Sequence, residues 1–205
     1  MRGFPDIPIS INLFRVRDSK SGLLIHDEHG IDAGANNFLK DVQRLRNGML
    51  KPGSGRIAFL SASGYYFLVG FFAIAALGGT LVPLAPNSKP TETLGSLSMA
   101  EATYLLTEPN TIDAGIEVKE YAEHTEMIFI SRHMKASEAN TSSEHKFEID
   151  PNLALDQYRP ISVISISGTS GSQPKGVVVP RRTFFPTTKC LADPQEQYLA
   201  YRSVY

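Results

Sequence analysis

The longest apolar stretch of the chain runs from Ile57 to Ser88 and contains no charged residue. Together with Arg56 before it, the stretch is divided by small residues into a short, mainly apolar run at 56–61, a longer apolar segment at 65–77, the pair Gly78-Gly79 and another short run at 80–84. Short apolar runs bounded by turn residues predict strands, and the longer segment predicts a helix covered on all faces. Strands of a parallel sheet are buried on both faces and therefore continuously apolar. The pattern predicts a β-α-β unit.

The same stretch raises the alternative of a membrane anchor formed by residues 65–77. A transmembrane helix needs about 20 consecutive apolar residues. The uninterrupted segment has only thirteen, so we expect no membrane span.

A second pair of apolar runs lies near the end of the chain, at 161–166 and at 177–179. Residues 167–176 between them are rich in glycine and in small hydroxyl side chains, and include one lysine, Lys175. Glycine lets the backbone approach a ligand closely, successive backbone N–H groups bind anions, and a lysine adds a compact positive charge. We interpret the segment as a strand-loop-strand hairpin whose loop can hold a polyphosphate.

This loop differs from the better-known phosphate loops. Gly171 and Gly176 have the spacing of a Walker A motif, but Val177 and Val178 follow them where that motif has Lys and Ser or Thr. The following run is also β-branched, which predicts a strand instead of a helix. The segment lacks the G-x-G-x-x-G pattern of dinucleotide-binding proteins. A flexible Gly/Ser linker is the other interpretation, but a linker needs neither the Pro-Lys-Gly-Val ending nor flanking apolar strands.

The first part of the chain predicts a hairpin and an amphipathic helix. The sequence His-Asp-Glu-His at 26–29 precedes Gly30 and is interpreted as a turn, since adjacent side chains rarely converge on one metal ion. A helix is predicted over residues 32–48. Further along, the polar segment 137–146 predicts a loop, and residues 193–205 predict the start of a helix. We expect no metal site of the chain's own.

Composition excludes several classes of protein. The formal net charge is −1, so no nucleic-acid or membrane-surface partner is expected. The single cysteine, Cys190, cannot form an internal disulfide and is typical of a reducing compartment. Residues 1–19 lack the apolar core of a secretory signal. The expected location is cytoplasmic, with an organelle left open.

The glycine-rich segment resembles the phosphate-binding signature of the adenylate-forming (AMP-binding) superfamily, which includes acyl-CoA synthetases, luciferases and the adenylation domains of peptide synthetases. The usual form is S-G-[ST]-[ST]-G-x-P-K-G-V. The matching positions are Ser167, Gly168, Thr169, Ser170, Gly171, Pro174, Lys175, Gly176 and Val177. Two residues, Ser172 and Gln173, stand where the family has one, and Pro180-Arg181 stand where the family often has Thr-His.

A second region carries the same resemblance. Residues 57–86 are similar to the N-terminal portion of acyl-CoA synthetases, most closely at 75–84, and residues 100–107 match the helix end and strand that follow in the family. The two matches occur in the family's order, and together the likeness extends from about Leu23 to Thr183.

The resemblance implies an α/β fold, namely the N-terminal part of the large adenylate-forming domain, with β-α-β units and a phosphate hairpin. It implies activation of a small carboxylic acid with ATP and Mg²⁺ to an acyl-adenylate, then transfer to coenzyme A, as in fatty acid metabolism. Ser167, Thr169 and Ser170 would hold the β- and γ-phosphates with the loop amides of Gly168 and Gly171, and Lys175 would balance their charge. No catalytic residue is assigned.

Members of the superfamily are far longer, and their adenine, ribose and Mg²⁺ motifs and small C-terminal domain come later in the chain. We therefore expect residues 1–205 to form a partial AMP-binding domain that ends soon after its phosphate loop, and to be inactive alone. Two interpretations stay open beside the membrane anchor: a ligase by descent, here as a fragment, and a non-catalytic remnant that binds a nucleotide or a partner.

Overall fold

The computed structural model describes residues 24–26, 31–49, 55–122, 124–130, 158–166 and 175–183. The described elements are, in chain order, β1 (Leu24–His26), β2 (Asp32–Gly34), α1 (Ala35–Gly48), β3 (Arg56–Leu60), α2 (Tyr65–Ala76), β4 (Thr80–Leu84), α3 (Pro90–Met99), β5 (Tyr104–Thr107), a 3₁₀ turn (Pro109–Thr111), α4 (Ile112–Tyr121), β6 (Glu126–Phe129), β7 (Pro160–Ile166) and β8 (Lys175–Pro180). The predicted loop at 137–146, the predicted helix start at 193–205 and Cys190 lie outside the described residues.

The β-α-β unit predicted from the apolar stretch is confirmed. β3 and β4 pair in parallel, with Ile57 opposite Leu81, and α2 connects them. The helix ends as the glycine pair predicts: Gly78 has φ 72°, and the N–H of Gly79 donates to the carbonyl of Ile74 at 2.9 Å. This is the C-terminal arrangement for which glycine is preferred, because the left-handed backbone carries no Cβ penalty.

The first helix begins later than predicted. Residues Asp32–Gly34, assigned to the helix from the sequence, form strand β2, which pairs antiparallel with β1. Gly34 has extended dihedral angles of φ −77° and ψ 165° and is the N-cap of α1. The ladder to β1 therefore holds these residues extended. The predicted turn at 27–30 lies outside the described residues, but the two strands that flank it form the predicted hairpin.

A six-stranded sheet organises the rest, in the order β6–β5–β3–β4–β7–β8. The neighbours from β6 to β7 are parallel, and β8 is antiparallel to β7. The predicted α/β class and strand-loop-strand hairpin are thus confirmed at the level of their strands.

The core has two layers, one on each face of the sheet. Alternate residues of β3 point to opposite faces. Ile57 and Phe59 pack with α1 and α2 in one layer, which also contains Phe38, Val42 and Leu45 of α1 and Met49 directly after it. Ala58 and Leu60 pack in the other with Leu97 of α3 and Val118 of α4. The α1–α2 layer holds the aromatic residues, including the stacked pair Phe59 and Phe67, whose ring centroids are 6.0 Å apart.

Candidate functional site

The crossover connections change direction across the sheet between β3 and β4. After β3 the chain crosses through α2 on one face, and after β4 it crosses through α3 on the other face to reach β5, on the far side of β3. Ligands of open α/β sheets bind outside the carboxyl ends of the strands at such a switch point. The carboxyl ends of β3, β4 and β7 therefore define the candidate site.

The β7–β8 hairpin brings its loop to this edge. β7 is parallel to β4, so its last residue, Ile166, lies at the carboxyl edge of the sheet. Lys175 pairs with Ile166 and begins β8. Ser167, Gly168, Thr169, Ser170 and Gly171 lie outside the described residues, so their assignment stays a prediction. Lys175 is described: it is exposed, and it lies beside the carboxyl ends of the parallel strands.

Lys175 and Gly176, which the sequence assigned to the loop, belong to strand β8. Gly176 pairs with Ser165 in the ladder. A Cβ on Gly176 would collide with the sulfur of Met99 and lie 3.0 Å from Cγ1 of Val163. This glycine is therefore required by packing against the end of α3, a reason that the sequence did not reveal. Residues 167–174, which lie between the two paired strands, are outside the described part of the chain.

A buried carboxylate fixes the neighbouring turn between β3 and α2. Glu108 follows β5 and is only 3% exposed. Its Oε2 accepts a hydrogen bond from the hydroxyl of Ser61 at 2.9 Å, and its Oε1 accepts one from the N–H of Ala62 at 3.0 Å. Charged acceptors make the stronger class of hydrogen bond. Glu108 therefore ties the carboxyl ends of β3 and β5 together at the edge where the hairpin loop begins.

Thr111 completes this polar cluster. Its hydroxyl donates to the carbonyl of Leu60 at 2.6 Å and lies 3.2 Å from the N–H of Glu108, which donates to it. Sequence reasoning missed the cluster, although its signal is present: an acidic residue directly follows the buried run of β5 and precedes a proline.

Arg181 lies at the opposite edge of the sheet from Lys175, because β8 runs antiparallel to the other strands. Together with Pro180, it stands where the resemblance expects Thr-His. The residue is 5% exposed, and its Nη2 donates to the carbonyl of Ala75 at 3.0 Å. Cations stabilise the C-terminal end of a helix. Arg181 therefore attaches the end of the hairpin strand β8 to the C-terminal end of α2, and it lies away from the candidate site.

Tyr65, the first residue of α2, is the most strongly perturbed titrating group described. Its hydroxyl donates to Oδ2 of Asp41 at 2.7 Å, and only 4% of the residue is exposed. Burial and the neighbouring Asp41 carboxylate raise the pKa of Tyr65 well above its ordinary value. The phenol is therefore neutral at physiological pH and acts as a hydrogen-bond donor.

The described part of the chain contains neither a cluster of metal ligands nor a membrane-spanning helix. Among these residues, no group of three or more His, Cys, Asp and Glu side chains is arranged to hold a metal ion. None of the described helices is long and apolar enough to cross a membrane.

Two sequence comparisons, with a family model and with a related protein, agree on the family of this chain. The family model of the AMP-binding enzymes matches residues 35–205. A CoA ligase of Gibberella moniliformis (strain M3125 / FGSC 7600) is 27% identical over 188 residues, which cover 86% of this chain and 30% of that protein.

Solved structures support the fold. ATP-bound MatB from Rhodopseudomonas palustris aligns with a TM-score of 0.66 at 19% identity, over 89% of this chain and 37% of that one. The luciferase-like enzyme from the nonluminescent Zophobas morio mealworm aligns with a TM-score of 0.73 at 15% identity, over 93% of this chain and 46% of that one. The chain thus spans less than half the length of these relatives.

Proposed function

Because the chain belongs to the family of AMP-binding enzymes, whose model it matches over residues 35–205, we propose that it binds ATP through the β7–β8 hairpin. One observation supports the proposal: Ile166 and Lys175, which flank residues 167–174, pair at the carboxyl edge of the sheet, beside the switch point. Parallel sheets bind ligands at that edge.

The residue roles follow from their chemistry. Ser167, Thr169 and Ser170 donate hydroxyl hydrogen bonds to the β- and γ-phosphates, and Gly168 and Gly171 let the loop amides approach them. The exposed ammonium of Lys175 neutralises part of the phosphate charge. We assign no described residue to Mg²⁺, to the carboxylic acid or to coenzyme A.

The reaction proposed for the family member as a whole is acid activation. The carboxylate attacks the α-phosphate of ATP, which forms an acyl-adenylate and releases pyrophosphate, and the thiol of coenzyme A then displaces AMP. The chain corresponds to the first part of the large domain in this proposal and covers 30% of the related CoA ligase. We propose that nucleotide binding, and not the complete reaction, is the activity of these 205 residues.

Nucleotide titrations test the binding proposal. Since the loop contacts the β- and γ-phosphates, ATP should bind more tightly than AMP. An exposed charge contributes up to about 1 kcal/mol, so Lys175→Met should weaken ATP binding by roughly three- to fivefold and leave AMP binding unchanged. Lys119→Met, which removes a lysine from α4, is the matched control. Equal affinities for ATP and AMP in the wild-type chain would contradict the proposed site.

A non-catalytic role is the second candidate, favoured by the additional residue in the signature, where Ser172 and Gln173 replace one family position. ATP–pyrophosphate exchange with a panel of carboxylic acids separates the candidates. We expect no exchange from this chain with any acid. Acid-dependent exchange would instead show that the chain activates acids unaided.

A further inference from the structure

A cavity of about 360 Å³ lies between β2, α1 and the start of α2. Helix α1 supplies one wall with Asn37, Lys40, Asp41 and Arg44, which occupy positions i, i+3, i+4 and i+7 and so form one stripe. This stripe runs beside the apolar stripe by which α1 packs on the core. The cavity volume lies in the range of small-molecule sites, roughly 300–1,000 Å³.

The charges on this wall favour an anion. The carboxylate of Asp41 is already engaged: its Oδ2 accepts from the hydroxyl of Tyr65 at 2.7 Å, and its Oδ1 accepts from Nη1 of Arg44 at 3.2 Å. Lys40 adds a second cation to the same wall and is exposed. Among the described lining residues, two cations and one carboxylate give a net positive charge.

The other walls are apolar. Ile31 and Ala33 close one side, and Tyr65 and Tyr66 close the other. Ligand sites typically combine such apolar and aromatic walls with a few polar groups that fix orientation. A bare inorganic anion would leave the half-buried Ile31 and Tyr66 in contact with water, whereas a compact ring or branched hydrocarbon would cover them.

We propose that this cavity binds a small organic anion, with the anionic group at Lys40 and Arg44 and an apolar body against Ile31, Ala33 and the tyrosine rings. Its described lining comes from the β1–β2 hairpin, α1 and α2, and none of the described residues of β7 and β8 is part of it. It is independent of the proposed nucleotide site.

Benzenesulfonate is a suitable probe, because it has a ring and a permanent negative charge and no carboxylate that could be activated. Calorimetric titration of the wild-type chain should give saturable binding that excess ATP does not displace. Lys40→Glu should weaken this binding by about tenfold or more, because it replaces an attractive charge with a repulsive one. Lys119→Glu, the same change on α4 in the opposite layer, should have no effect. Circular dichroism checks that both variants are folded.

A fluorescence measurement locates the probe, since the chain contains no tryptophan. Asn37→Trp places an indole at the cavity, and Ser98→Trp places one at an exposed position of α3 as a control. Benzenesulfonate should change the emission of the first variant alone. No saturable binding by the wild-type chain, equally tight binding of benzylamine, displacement by ATP, or an equal response of the two tryptophans would each overturn the proposal.

Discussion

The β3–α2–β4 unit and the β7–β8 hairpin are both apolar in sequence, yet they differ in how they are used. In the β3–α2–β4 unit, Ile57, Ala58, Phe59 and Val82 are fully buried between two helical layers. In the β7–β8 hairpin, Ile164, Ile166, Val177 and Val178 are 44% to 54% exposed. The first region holds the sheet together, and the second carries the candidate chemistry. Apolar content alone therefore does not separate scaffold from site.

The largest expected loss of stability comes from a substitution in the β3–α2–β4 unit. Phe59 is fully buried and stacks on Phe67. Phe59→Ala removes the ring from the α1–α2 layer and should lower the free energy of unfolding by about 3–5 kcal/mol, as measured by urea denaturation. Tyr121→Ala, a truncation of a 68% exposed aromatic residue on α4, should change stability by less than about 0.5 kcal/mol. Similar losses in the two variants would mean that Phe59 is not a core residue.

A matched pair of valines tests the comparison itself. Val82 of β4 is fully buried, whereas Val178 of β8 is 54% exposed. We expect Val82→Ala to cost about 2 kcal/mol and Val178→Ala less than about 0.5 kcal/mol. Both values come from chemical denaturation of the same chain under the same conditions. A cost at Val178 equal to that at Val82 would show that the hairpin is part of the core.

The smallest expected effect concerns Tyr65 at the start of α2. Tyr65→Phe removes the hydrogen bond to Asp41 and should cost about 1 kcal/mol at neutral pH. Since folding raises the pKa of Tyr65, the folded chain holds this proton more tightly, and the contribution is fully present below the unfolded pKa of about 10. The stability of the wild-type chain should therefore fall as pH rises above that value, and the fall should be shallower in Tyr65→Phe.

Unfolding curves at neutral pH and at several alkaline pH values check this linkage. Replacing another tyrosine, Tyr158, provides the control, since it is 70% exposed. An equal alkaline loss of stability in the wild-type chain and in Tyr65→Phe would contradict the pKa shift.

The sequence predicted the scaffold well because its signals are local. The apolar segment at 65–77 and the glycine pair after it define α2 and its end within one residue. The predicted start of α1 was wrong because Asp32–Gly34 pair with β1, and this contact between separate segments holds them extended. A helix-forming pattern cannot report such a contact.

For the candidate site, the sequence predicted the two hairpin strands but not the contacts around them. The hairpin strands were expected, but the packing of Gly176 on Met99 depends on α3, which is far away in the sequence. The hydrogen bonds that Glu108 accepts from the β3–α2 turn likewise join residues 46 and 47 positions apart. Such contacts arise from topology, so the order of strands must be known before they can be inferred. The roles of residues 167–171 stay predictions.

Amide hydrogen exchange with and without ATP tests the central claim most directly, namely that the hairpin carries the nucleotide site and the β3–α2–β4 unit is its scaffold. We predict that ATP slows exchange in peptides containing Ile166 to Gly176, and that AMP does so less. Peptides of α2 should be unchanged. The account would be contradicted if ATP left the exchange of the hairpin unaltered, or if its protection appeared only in other elements.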